Sequence, residues 1–346
     1  QVASSDESRK PLKESMKNWL RVYKFPEVER TTYDRYECTA EHQIYPYIGN
    51  KPVGDVTPAD IKKLLTKHMN KGYAFTTSKK AYSLLKMFFK QLYQEGAIPN
   101  NPMALIDMTK KDNYLAAQNK ESKPQCDMVV VFTDEELEQI KAEAFKRFTN
   151  GKPVYQQSAA YFLMLNTGLR IGELLGLLNS DIDLENKTMT IRQAVKLVDQ
   201  RDGTKLIGGK VKKVGKTKTT TSKRVVPLNS TAIEMIYDLR KEFYFGEDSP
   251  LVPDEHGNFT KPSNFRKRFY RILDGAGIEH KGLHSLRHTF ATNLVNGVKQ
   301  PDGTVKSLTP KQVGDLLGHS TSEITERYYV KRDNSRLNGI TDGFEM

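Results

Sequence analysis

The sequence predicts a mainly α-helical chain with a small β-sheet, laid out as a helical domain over 1–105, a linker over 106–128 and a mixed helical domain with a sheet over 129–346. Three observations carry this. Apolar residues recur at helical spacing through the first hundred residues. A polar stretch, Thr109-Lys-Lys-Asp-Asn113 and Gln118 to Pro124, follows, and a fresh helix start stands just beyond it. Strand-like alternation occurs only in the second half, at Met189–Val198 and Arg224–Leu228. A length of 346 residues suits two domains at roughly 100–200 residues each.

The first helix is predicted from Leu12, with Met16, Trp19, Leu20 and Tyr23 on one face, until Pro26 interrupts it. Thr31 and Thr32 are candidate N-caps for a second, carrying Tyr33, Tyr36, Ile44 and Tyr47 and ended by Gly49 and Pro52. Thr57-Pro58-Ala-Asp60 opens a third, with Pro at the first helical position. A fourth runs from about Thr76 to Glu95 and stops before Pro99. Thr133 and Glu136 form a capping-box pattern that opens the second domain. Tyr155–Leu165 reads as a buried helix ending at Asn166-Thr-Gly168, and another begins near Arg170. Between the two predicted strands lie Asp202-Gly203, Gly208-Gly209 and many lysines, the pattern of a long hairpin. Helices are predicted at 231–244, 262–274, 284–296 and 310–317.

The net charge is +12, with lysines concentrated on exposed positions of the first domain. That favours a polyanionic partner, most simply nucleic acid. No apolar run approaches the ~20 residues that span a bilayer, and no secretory leader pattern opens the chain. Cys38 and Cys126 are the only cysteines, which excludes a disulfide framework and a Cys-rich zinc site. An intracellular, cytoplasmic protein is expected. Gln1 at the start suggests that a segment has been removed ahead of it.

Two stretches hold the chemistry. The first is His284-Ser-Leu-Arg287-His288, read with Leu317-Gly-His319 and with Tyr328, nine residues after His319. His284 and Arg287 share a helix face. An arginine fork fits phosphate oxygens, and a phenol beside such a site can be a covalent nucleophile. The second is Asn166-Thr-Gly-Leu-Arg170-Ile-Gly-Glu173. An arginine opening an apolar helix needs an anionic partner, which is either a substrate or a structural ion pair with Glu173 or Asp181. His284 and His288 have metal-ligand spacing, but Ser285 stands where a metalloprotease has its glutamate, so no metal is expected.

Together these motifs resemble the tyrosine recombinases, the phage and conjugative-transposon integrases. The resemblance rests on Arg170 after Thr-Gly-Leu, His284-x-x-Arg287, His319 in Leu-Gly-His, and Tyr328. It selects Lys218, with Lys216 as fallback, for the family's hairpin lysine, because Lys218-Thr219 precedes a strand ending in Pro227-Leu228. Tyr329 is the alternative nucleophile. The resemblance covers nearly the whole chain. It implies a helical core-binding domain, a mixed α/β catalytic domain and cleavage of DNA through a 3′-phosphotyrosine without metal, cofactor or ATP. It also implies a homotetramer on double-stranded DNA, accessory DNA-bending or directionality proteins, and a bacterial or phage-encoded, nucleoid-associated enzyme of a mobile element. A separate amino-terminal arm-binding domain is expected to have been removed. A type IB topoisomerase-like nicking-closing enzyme and a non-catalytic DNA-binding regulator are the competing readings.

Overall fold

The computed structural model describes residues 6–120, 129–216, 223–299 and 302–318. The chain forms two compact units, Gln1–Ser122 with Val198–Val211, and Lys123–Leu197 with Lys212–Met346.

The first unit is built on helices α1 (Leu12–Trp19), α2 (Arg30–Thr39), α3 (Tyr45–Ile48), α4 (Pro58–Asn70) and α5 (Phe75–Gln94). Its core gathers Leu12, Met16, Trp19, Ile44, Ile61, Leu85, Phe88 and Phe89. Pro26 does not stop the first helix as expected. The helix widens into a π turn over Leu20–Lys24 and then continues through Phe25–Glu27. The same happens at Ala40–Ile44, ahead of Pro46. Proline has no N–H and its ring crowds the carbonyl four residues back. A wider turn relieves that clash, and Phe25 N–H bonds Leu20 O, five residues back. Thr31 and Thr32 are not the caps of α2. They lie in its first turn, and Glu29 precedes it. Thr57 does cap α4, reciprocally with Asp60.

Part of the expected linker is a helix, α6 (Lys111–Ala116). It is held because Tyr114 is buried, stacks edge-on against Phe75, and shares its hydroxyl with Ser78 and the Tyr73 carbonyl. The tip of a long hairpin also belongs to this unit. Arg201 is buried there, within 3.0 Å of Asp34 and 2.5 Å of Glu37, with its guanidinium over the Tyr33 ring.

The second unit contains α7 (Asp134–Ala144), α8 (Ala159–Thr167), α9 (Ile171–Leu174), α10 (Ser230–Glu242), α11 (Pro262–Gly275), α12 (His284–Asn296) and α13 (Pro310–Leu317). The Thr133–Glu136 capping box forms as the sequence indicates. Helix α8 is buried almost all round and packs against α10 and α12. It begins later than predicted because 155–158 is held in a turn: Tyr155 donates to Glu143, and Gln157 adopts φ +60°.

The predicted strand Met189–Val198 is two strands with different partners. Strand β2 (Thr188–Ile191) lies between β1 (Ile182–Asp183) and β5 (Arg224–Pro227) in an antiparallel sheet, with Met189 opposite Val226 and Ile191 opposite Arg224. Beyond Arg192, which pairs with Asp181, β3 (Gln193–Asp202) and β4 (Lys205–Lys216) form the long hairpin. Alternation reveals a strand but not its partner. A small hairpin of β6 (Val298–Lys299) and β7 (Val305–Lys306) follows α12.

Candidate active site

Two helix ends make the floor of the site. Helix α8 stops at Gly168 and α13 stops at Gly318, both left-handed, at φ +65° and +67°. Gly168 has no substitute: a Cβ there would lie 2.5 Å from Leu317 and 2.6 Å from Phe290. The last carbonyls of both helices therefore point, unpaired within their helices, into one region. Those ends carry partial negative charge, and cations gather on them.

Three arginines do so. Arg287, on α12, is 1% exposed and donates from Nη1 to the Gly168 carbonyl at 2.7 Å and from Nη2 to the Leu317 carbonyl at 2.8 Å. Arg170 sits at the start of α9, half-exposed. Its Nη1 donates to Glu173 Oε1 at 2.8 Å, while its contacts with the Leu317 and Gly318 carbonyls are long, 3.5 and 3.4 Å. Arg224, at the start of β5, donates from Nε to the Leu316 carbonyl at 2.9 Å and from its two Nη atoms to Glu173 at 3.3 and 3.0 Å.

The fork of Arg287, a candidate phosphate donor from its motif, is engaged here by two backbone carbonyls. A buried guanidinium must find acceptors, and the helix-end carbonyls supply them. Arg170 is the more open fork, held only weakly at the carbonyls. Of its ion-pair readings, the one with Glu173 is present, whereas Asp181 is taken by Arg192.

Glu173 is the carboxylate among these cations and is 4% exposed. Burial alone would push its carboxyl up. Hydrogen bonds and charge from Arg224, with Arg170 beside it, hold it below the ordinary carboxylate range. Among the described residues, three guanidiniums against one carboxylate leave the cluster net positive.

His284 opens α12 and stands at 4.6 Å, edge-on, from the ring of His288. Desolvation of its ring, then the charges of His288, Arg287 and Arg170, push its pKa down to about 4. His288 is likewise pushed down to about 4, by burial and by Arg287. Both are neutral at pH 7, so each ring carries one protonated and one unprotonated nitrogen. The spacing of His284 and Arg287 does put both on α12 beside Arg170. Lys218, His319, Tyr328 and the alternative Tyr329 lie outside the described residues, and Lys216 ends β4. The described chain stops at Gly318, one residue before His319, with Gly318 under Arg170.

Arg224 escaped sequence reasoning, although a signal existed. In Arg224-Val-Val226, alternation puts Arg224 on the same face as buried Val226. An arginine on the inward face of a strand marks a paired internal charge. Glu173 was considered only as a structural partner of Arg170. Its sharing with a second arginine depends on β5.

The phage integrase family model matches residues 130–335, and a phage integrase N-terminal SAM-like domain model matches 12–69. The chain belongs to the phage integrase family. It is thus a tyrosine recombinase, of the class that cleaves and rejoins DNA strands. A tyrosine recombinase XerC-like protein of Caldanaerobacter subterraneus is 30% identical over 285 residues, which is 78% of this chain and 66% of that relative, just under two thirds of its length. The integrase of Mycobacterium phage L5 is 29% identical over 326 residues, 92% of this chain and 75% of its own. The fold matches the Tn1549 transposon integrase in complex with a circular intermediate DNA, at TM-score 0.72 and 21% identity over 97% of this chain and all of the other. It also matches lambda integrase in a tetramer bound to a Holliday junction, at TM-score 0.62 and 20% identity, over 95% of this chain and 82% of the other.

Proposed function

We propose that this chain is a site-specific recombinase that integrates or excises a mobile element through a 3′-phosphotyrosine formed on Tyr328. The observation that supports it best is the net-positive cluster of Arg170, Arg224 and Arg287 at the end of α13, with His284 beside it and the chain leading directly to His319. Such a cluster suits a phosphodiester anion.

In this reading Arg170 binds a non-bridging phosphate oxygen by its open fork, exchanging weak carbonyl contacts for strong charge-assisted bonds. Arg287 holds the floor under it and can add a donor, since each Nη carries a second hydrogen. The phenol of Tyr328 gives up its proton to a base as its oxygen attacks phosphorus, and the bond to the 5′ oxygen breaks. Lys218 gives that oxygen a proton, so a free 5′-hydroxyl leaves. Neutral His284, together with His319, donates hydrogen bonds to the charge that develops. Rejoining is the reverse, with a 5′-hydroxyl attacking the phosphotyrosine, and the phosphodiester bond energy is conserved. Metal is not required, because the guanidiniums supply the neutralisation that metals supply elsewhere.

The partner is double-stranded DNA. The assembly proposed is a homotetramer on two duplexes, with accessory bending or directionality proteins and a cytoplasmic, nucleoid-associated site of action. Among the described residues no helix is long and apolar enough to cross a membrane. The net charge of +12 provides salt-sensitive affinity for phosphates.

The test is covalent capture on a nicked suicide duplex followed by peptide mapping. Tyr328→Phe is expected to abolish capture and leave binding nearly intact, since most binding contacts go to phosphates elsewhere. Capture by that variant would move the nucleophile to Tyr329 or end the proposal.

A further inference from the structure

Arg224 is the arginine of the cluster that the recombinase motifs do not include, and its side chain joins Glu173 to the end of α13 through three hydrogen bonds. It reaches both oxygens of Glu173 with its Nη atoms. Glu173 in turn receives the backbone N–H of Arg170 at 3.0 Å and its Nη1 at 2.8 Å. With its remaining donor, Nε, Arg224 holds the Leu316 carbonyl. The next two carbonyls, of Leu317 and Gly318, are those under Arg170 and Arg287. Arg224 is itself nearly buried, with 8% of its side chain exposed.

We infer that Arg224 is a positioning residue for strand cleavage: by bridging Glu173 to the last turn of α13, it fixes the direction of the Arg170 fork. This rests on the reading under Proposed function. The bridge demands a guanidinium. Lysine can hold Glu173 as a point charge, but it cannot hold two carboxylate oxygens and the Leu316 carbonyl in one plane. Neither Arg170 nor Arg287 can replace it, because neither spans from Glu173 to Leu316.

The bridge also has a consequence for pH. The charged and titratable groups facing Glu173 are Arg170 on its own element, Arg224 from β5 and His284 from α12. His284 is neutral at pH 7. With Arg224 removed, burial opposes ionisation of Glu173 with only Arg170 to offset it. The carboxyl then takes up a proton at a higher pH than in the wild type, and a neutral carboxyl no longer anchors Arg170 by charge. The acid limb of cleavage therefore moves to higher pH in the variant.

The experiment uses the full chain on a nicked suicide duplex that the wild type is first shown to capture. Failure of the wild type to capture DNA would strike the proposed function, and only with capture in hand does Arg224 come under test. Single-turnover cleavage, duplex affinity and thermal melting are measured for Arg224→Met, Arg224→Lys, Glu173→Gln and Arg224→Met/Glu173→Gln between pH 5 and 9. Arg224→Met is expected to cleave about 10²-fold more slowly and Arg224→Lys about tenfold, with affinity changed less than about threefold, as loss of aim rather than of binding requires. The acid limb of Arg224→Met should lie at higher pH than that of the wild type. Glu173→Gln should remove that difference, and the double variant should be little slower than the slower single one. Cleavage by Arg224→Met within threefold of wild type, or a slowing that follows its melting temperature with an unmoved pH profile, overturns the inference. If Arg224→Met does not fold, Arg224→Lys decides alone: wild-type cleavage by a folded Arg224→Lys overturns the inference equally.

Discussion

The molecule buries arginines in two places, and it balances them differently. Arg201, in the first unit, meets two carboxylates, Asp34 and Glu37, and the face of Tyr33. Its charge is neutralised locally. Around Arg170, Arg224 and Arg287 the described residues place one carboxylate, Glu173, and backbone carbonyls at the ends of α8 and α13. Carbonyls satisfy N–H groups but do not cancel charge. The first arrangement is complete without a ligand. The second retains positive charge, and a phosphate can use it. Charge balance, more than burial, separates a self-contained arginine from one able to take an anion here.

The strongest test of that contrast is Arg170→Lys. Lysine keeps the charge and loses the fork, so the phosphate keeps an attraction and loses its geometry. Single-turnover cleavage should fall by roughly 10²–10³, equivalent to about 3–4 kcal/mol of transition-state stabilisation. Duplex binding at fixed salt should change little. Near wild-type cleavage would put Arg170 in the same structural class as Arg201.

Arg201→Met is the matching experiment at the neutral site. Removing the cation leaves buried Asp34 uncompensated, which should lower stability by about 3 kcal/mol in urea unfolding. Cleavage per folded molecule at saturating DNA should change far less than in Arg170→Lys. A stability loss under about 1 kcal/mol would show that the Arg201 network is dispensable and would narrow the contrast.

The histidines of the cluster give a smaller, pH-dependent effect. His284 and His288 titrate near 4 in the folded chain and near 6.5 in the unfolded one. The unfolded state therefore binds more protons between those values. Their contribution is present in full above about pH 6.5 and is lost as pH falls toward 4. The melting temperature of the wild type should decline across that window more steeply than that of His284→Gln/His288→Gln. Equal slopes would mean that neither burial nor the neighbouring arginines holds these rings neutral in the folded chain.

The smallest effect expected is that of EDTA. If the guanidiniums neutralise the phosphate, chelation should leave the cleavage step on a pre-assembled complex unchanged within about twofold. A strict requirement for Mg²⁺ in that step would contradict it.

Much of this chain was legible in order. The capping boxes of Thr57–Asp60 and Thr133–Glu136 are local, since each needs only residues three apart. The helices at 262, 284 and 310 follow from apolar spacing and begin within a residue or so of where the sequence puts them. That His284 and Arg287 share one helix was legible because spacing on one helix is itself local. What needed the tertiary structure is whatever joins distant segments or hides a charge. The π turns trade helix geometry against a proline ring within a packed core, and Tyr114 makes a helix of an apparent linker by finding a buried pocket. Arg192 divides one strand pattern between two partners. Arg287 turns its fork onto carbonyls of Gly168 and Leu317, and Arg224 joins Glu173 to Leu316. Sequence supplies donors and their local spacing, but the acceptors here are backbone atoms 30 to 119 residues away. A backbone carbonyl carries no side-chain signature, so only the folding of α8, α12, α13 and β5 around one core could decide which arginine stays open to a phosphate and which is spent holding the floor beneath it.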